Sequence, residues 1–287
     1  MHPKDNLRGA AFMTAAMAGF AVEDTFLKAA ARIMPLGQVI LIVGLCGMIV
    51  FGLMAARKEE APVPRAFLHP ALLIRSVFEV TGRLFYSLAI ALTPLSTTSA
   101  ILQATPLLVV AAAAILFKER VGWRRWSAVA VGFAGVLIIL RPGLEGFSAL
   151  SLLALAGMAG FAGRDLATRA APRVLSNRQL GVAGFAMLAL AGAIVLAATG
   201  GATWPGPRGL GLLAGTAVFA ILAYHALTSA MRTGEVSFVT PFRYTRLVFA
   251  MVLAVAIFGE RPDAMTLLGS ALIVGSGIYA LARANRR

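Results

Sequence analysis

The 287-residue chain is 59% hydrophobic and only 13% charged, with a mean hydropathy of +0.84 and a formal net charge of +14. A water-soluble globule of this length needs more polar surface than that, so the composition points to a chain embedded in lipid. One cysteine, Cys46, and three scattered histidines exclude a disulfide framework and a Cys/His metal cluster, and the positive charge sits in short gaps between apolar runs rather than on a solvated face with a nucleic-acid motif, so no nucleic acid, metal or cofactor is expected.

Ten apolar segments follow one another, near 9–30, 36–56, 70–92, 96–117, 122–140, 148–168, 179–199, 208–231, 236–258 and 264–283. Each is close to the roughly 20 residues that cross a hydrocarbon core as a helix. The fold expected is an all-α integral membrane protein of ten transmembrane helices. The first segment carries Glu23, Asp24 and Lys28 where the apolar region of a cleaved signal peptide would run, so it reads as a true span. Asp24 can meet Lys28 one turn on, which leaves Glu23 without a nearby cation. Glu23 and Asp24 are therefore the candidates for proton coupling.

The third segment places Arg75, Glu79 and Arg83 at i, i+4 and i+8, with Tyr86 continuing the stripe. A charge at membrane depth is expensive and faces the bundle interior or a wet cavity. These three either satisfy one another or bind substrate. The fourth segment has Gln103 and Thr105 around Pro106. The sixth ends in "RDLATR", where Asp165 is spaced to pair with Arg169, and Arg164 and Arg169 serve as cytoplasmic anchors. The eighth carries Tyr224, His225 and Thr228; a lone histidine such as His225 is as well read as a hydrogen-bonded core residue. The ninth reads "FRYTR": Arg243 and Arg246 share a face at i, i+3, flank Tyr244, and have no acid in their own helix, which favours cavity lining. Small residues in "GFAG" at 132–135 and "GSALIVGSG" at 269–277 allow close helix approach, and a homodimer through such faces is the oligomer expected. Trp123, Trp126 and Trp204 lie where an interfacial aromatic belt would.

Two stretches repeat: "LFKER" at Leu116–Arg120 and "IFGER" at Ile257–Arg261 close the fourth and ninth segments. Glu119 and Glu260 thus mark the same boundary in two five-helix units, and Tyr86 and Tyr224 lie at similar distances upstream. An odd number of spans per unit inverts the second copy, and Pro106 and Pro241 interrupt both fourth helices, the pattern of an alternating-access carrier. The two glutamates are expected to cap backbone donors of the helix that follows each, with Pro262 at a first helical position, or else to act in gating. Lys and Arg concentrate in the segments that a cytoplasmic start places inside, as at Arg57, Lys58, Lys118 and Arg124. Arg32, Arg141, Arg208 and Arg261 fall outside. Both termini are therefore expected in the cytoplasm and the chain in the cytoplasmic (inner) membrane.

The two "F-x-E-R" boundaries, the five-plus-five layout and the segments "YSLAIALTPLSTTSAILQATPLL" and "TPFRYTRLVFAMVLAVAIFGERP" resemble the drug/metabolite transporter superfamily, specifically its EamA branch. The resemblance covers 9–141 and 148–283 as two repeats and implies a ten-helix carrier with a central cavity between the halves. It does not name the cargo. Within the spans Lys28, Arg75, Arg83, Arg243 and Arg246 outnumber Glu23, Asp24 and Glu79, so an anion or a zwitterion would neutralise the surplus. With no catalytic constellation an enzyme is not expected. Export of an amino-acid-like or organic anionic metabolite is the first expectation. Uptake of a vitamin or nucleoside-like compound is the second, and a lipid flippase a third. Lipid and a small-molecule substrate are the partners expected.

Overall fold

The structure is a computed structural model that describes residues 3–118, 122–142, 148–170, 175–233 and 236–284. Among these residues it is built of helices: α1 Pro3–Ala31, α2 Leu36–Ala56, α3 Pro70–Leu92, α4 Leu95–Leu102, α5 Thr105–Leu116, α6 Trp123–Leu140, α7 Ser151–Ala170, α8 Asn177–Thr199, α9 Pro207–Thr233, α10 Val236–Val239, α11 Thr245–Phe258 and α12 Ala264–Ala284, with short 3-10 turns at Arg65–Leu68 and Thr240–Tyr244. Seven helical stretches among the described residues are long and apolar enough to cross a membrane: Asp5–Ala31, Leu36–Ala56, Leu95–Leu116, Asn177–Thr199, Pro207–Met231, Thr240–Phe258 and Ala264–Ala282. A shorter apolar helix covers Trp126–Leu140. Helices α3 and α7 are as long, but Arg75, Glu79 and Arg83 in one and Arg164 and Asp165 in the other lower their apolar character.

Both proline-bearing segments are broken where the sequence suggests. The first turns at Gln103 and Ala104, between α4 and α5, and Pro106 sits in the first turn of α5, where its missing N–H removes no helical bond. The second runs from α10 through the 3-10 turn that holds Pro241 into α11. The breaks meet: Gln103 Nε2 donates to the carbonyl of Arg243 at 3.0 Å.

Four helix pairs form the main contacts, α1 with α9, α2 with α8, α3 with α7 and α6 with α12. Phe51 of α2 stacks on Phe185 of α8 at 5.5 Å between ring centroids, and Tyr224 of α9 meets both rings edge-on. In the α3–α7 pair a Cβ on Gly160 would strike the backbone of Gly82, so the absence of side chains at this crossing sets how closely the two charged helices approach. Gly135 of α6 and Gly269 of α12 likewise face each other, so these small residues of the expected dimer faces are used in packing within one chain. Trp123, Trp126 and Trp204 are exposed.

Candidate functional site

A cavity of about 430 Å³ lies among α1, α3, the break before α5, α7, α9 and the Thr240–Tyr244 turn, with residues of both halves in its wall. Small-molecule sites typically measure about 300–1,000 Å³. Of the residues singled out from sequence, Glu23, Asp24, Arg83, Tyr86, Gln103, Tyr224, Arg243, Tyr244 and Arg246 line it. Arg75, Glu79 and His225 do not: Arg75 and Glu79 are buried behind the wall, and His225 is exposed, on another side of α9 from Tyr224. Glu119 lies outside the described residues. Sequence reasoning did not place Phe20, Phe161, Arg164 or Asp165 in the wall; the charges in "RDLATR" were the available signal.

Two ion networks organise the wall. Arg246 Nη2 donates to Asp24 Oδ2 at 2.7 Å and to Tyr86 Oη at 3.3 Å, while Tyr86 Oη donates to the same Asp24 oxygen at 3.1 Å. The Arg246 guanidinium also lies over the rings of Phe20 and Tyr86, at 5.1 and 5.5 Å from their centroids. Asp24 therefore does not meet Lys28, as spacing along α1 suggested; a longer-range partner is brought to it by the contact of α1 with α11.

The second network centres on Glu79, only 1% exposed. Arg75 Nη2, Arg83 Nε and Arg164 Nη1 lie 3.2, 3.2 and 3.4 Å from its oxygens. The stripe on α3 thus satisfies itself in part, and α7 adds a third cation. Arg164 also donates to Asp165 at 2.9 and 2.7 Å, and its guanidinium lies 4.9 Å from the Phe161 ring centroid. Two expectations change: Arg164 is a wall residue rather than a surface anchor, and Asp165 pairs with its neighbour Arg164; the Arg169 side chain lies outside the described residues. The Tyr244 hydroxyl is buried with no hydrogen-bond partner among the described residues.

Glu260 does cap a helix, but a different one from the helix expected. Gly259, in the left-handed conformation with φ 64°, ends α11 and turns the chain back. Leu95 N and Ser96 N then donate to the Glu260 carboxylate at 2.7 and 3.0 Å, and Ser96 Oγ donates at 2.7 Å, so the N-terminus of α4 in the other half is capped. Lys28 Nζ approaches at 3.5 Å and also donates to the carbonyls of Ile90 and Thr93. The helix after Glu260 is capped by Asp263, which accepts from Thr266 N at 2.8 Å and pairs with Arg141; α12 begins at Ala264, so Pro262 precedes it.

Burial opposes ionisation of Glu260, but the N–H groups of Ser96 and Leu95 outweigh it and hold the carboxyl below the ordinary glutamate range. A depressed folded-state value means that the stabilisation is present above the unfolded pKa of about 4.3 and is lost as pH falls through the folded one. Glu260→Gln is expected to lower the melting temperature at neutral pH, with the gap from the native protein closing below about pH 4. Thermal melts of the purified protein across pH check this; a gap independent of pH contradicts it.

Residues 7–141 and 147–282 each match the EamA-like transporter family. The chain is 24% identical over 226 residues to an S-adenosylmethionine uptake transporter of Rickettsia felis, spanning 78% of this chain and 74% of that one. It is 27% identical over 216 residues to a riboflavin transporter of Rhizobium johnstonii, over 75% and 71% of the two chains. A protein solved by crystallography shares the fold with a TM-score of 0.64 at 19% identity, over 98% of this chain and 99% of that one. The relatives are named as transporters, none as an enzyme. Because the family match takes in one half and then the other, the chain belongs to the EamA-like transporter family.

Proposed function

We propose that the chain is a secondary carrier that takes up a vitamin or nucleoside-like compound across the cytoplasmic membrane by alternating access. The observation that carries this reading is the cavity of about 430 Å³ walled by both halves, with aromatic rings beside acidic and basic side chains. Phe20, Tyr86, Phe161 and Tyr224 offer faces for a flat heterocycle, and the arginines and acids suit a polar or charged chain attached to it. S-adenosylmethionine and riboflavin, which name the relatives' cargo, both join a flat nitrogen heterocycle to a polar chain. The word uptake in the names of the S-adenosylmethionine relatives favours this over the export of an amino-acid-like or organic anion expected first from sequence.

The carrier is read as ten membrane segments in two inverted five-helix repeats, 9–141 and 148–283, with both termini cytoplasmic. The helix pairing supports the repeat: exchanging first and second units converts α1 with α9 into α7 with α3 and returns α2 with α8 and α6 with α12 to themselves. Lys118 and Gly259, at matching places before the two boundary glutamates, also share a left-handed conformation, with φ 53° and 64°. Single cysteines at Lys118 and Arg261, in a Cys46→Ser background, are expected to label from the cytoplasmic and outer sides respectively; labelling of both from one side rules out inversion. Cells expressing the chain are expected to accumulate labelled S-adenosylmethionine or riboflavin above vector controls, and accumulation of both compounds no higher than in those controls counts against the uptake reading.

A further inference from the structure

The charged side chains of the cavity wall are mostly committed to one another. Asp24 holds Arg246, Arg83 is tied to Glu79, and Arg164 is tied to Glu79 and Asp165. Two are left over. Glu23 lines the cavity at 7% exposure and takes part in no ion pair or hydrogen bond among the described residues. Arg243 lines it too; Gln103 bonds its backbone carbonyl, while its guanidinium has no ion pair or hydrogen bond among the described residues. The cations that act on Glu23 from neighbouring helices, Arg83 and Arg246, are engaged by Glu79 and Asp24, and Lys28 on its own helix is engaged by Glu260.

An unpaired ion away from bulk water is costly, so a ligand that brings the opposite charge gains by pairing with it. One leftover acid and one leftover base call for a ligand that carries both a cationic and an anionic group. We infer that the substrate is zwitterionic, with a cationic group received by Glu23 and a carboxylate held by the Arg243 guanidinium. The planar fork of arginine suits a carboxylate. This rests on the uptake reading and narrows it, because a neutral flavin leaves both charges unmatched whereas an amino-acid-bearing nucleoside matches both. It also gives Glu23 a role in recognising substrate, in place of the proton coupling expected from sequence.

Three probes share one heterocycle and sugar: S-adenosylmethionine, with a sulfonium, an ammonium and a carboxylate; its decarboxylated analogue, which keeps both cations and loses the carboxylate; and neutral methylthioadenosine. Binding to the purified full chain in lipid nanodiscs is expected to favour S-adenosylmethionine over methylthioadenosine by about tenfold or more, the scale of one charge-assisted bond. Glu23→Gln is expected to weaken both charged probes by about tenfold and leave methylthioadenosine unchanged. Arg243→Ala is expected to weaken S-adenosylmethionine alone, so its binding of the decarboxylated probe doubles as a test of folding. Equal native affinity for charged and neutral probes, or native affinity for neutral riboflavin as high as for S-adenosylmethionine, overturns the inference and leaves uptake standing. Loss of all three probes together in Glu23→Gln also overturns it. If the native chain binds none of the three probes and no riboflavin, the uptake reading falls and the inference with it.

Discussion

Glu79→Gln is expected to produce the largest loss of stability of any single polar substitution in this chain. The carboxylate is buried and three guanidiniums converge on it, Arg75 and Arg83 from its own helix and Arg164 from α7. Removing the negative charge leaves three cations facing one another with Asp165 as the remaining acid of the cluster. Breaking a buried ion pair from one side typically costs about 3–5 kcal/mol, because the partner stays buried without compensation. A fall of that size in a membrane protein of marginal stability is expected to appear as poor accumulation and a markedly lower melting temperature in detergent. Adding Arg75→Gln to Glu79→Gln is expected to recover part of the loss, since it removes one of the stranded cations while Thr168, its other partner, still has its bond to the Arg164 carbonyl. An unchanged melting temperature for Glu79→Gln contradicts this account of the α3–α7 contact.

The second large effect separates two arginines that look equivalent in sequence. Arg246→Ala leaves Asp24, 3% exposed, with only the Tyr86 hydroxyl among the described residues, and a destabilisation of about 3 kcal/mol or more is expected. Arg243→Ala removes a side chain without an ion pair among the described residues, so the fold is expected to stay within about 1 kcal/mol of native. Its cost falls on affinity instead: a charge-assisted hydrogen bond contributes about 1.5–3 kcal/mol, equivalent to about tenfold or more in substrate dissociation constant. Arg243→Lys is expected to recover part of this, keeping the charge and losing the planar fork. Melting temperatures and substrate affinities measured on the same preparations check the split; two arginines that lose stability equally contradict it.

The pattern of what sequence discloses follows from the range of each interaction. The apolar runs, the breaks around Pro106 and Pro241, and the self-satisfying stripe of Arg75, Glu79 and Arg83 are local features, set by residues a few positions apart. The Asp24 to Arg246 bond spans 222 residues, and the bonds from Leu95 and Ser96 to Glu260 span 165 and 164. Such partners are fixed by which helices adjoin, and no spacing rule along one helix reveals that. Spacing therefore assigned Asp24 to Lys28, whereas each finds its acid or base on the far half of the chain. The same blindness explains why Arg164 reads as a surface anchor: its place at a helix end is visible, but the acid that α3 presents to it is not. Function at the level of a membrane transporter was legible from the repeated boundary and the composition, and the division of labour among the cavity charges was not.

Substrate counterflow in proteoliposomes most directly tests whether the cavity is the transport path. Vesicles containing the purified chain and preloaded with unlabelled S-adenosylmethionine are expected to draw in labelled S-adenosylmethionine transiently above empty vesicles, and vesicles with Arg243→Ala to do so far more weakly at the same external concentration. Flux that equals that of empty vesicles, or flux through Arg243→Ala indistinguishable from native, contradicts it.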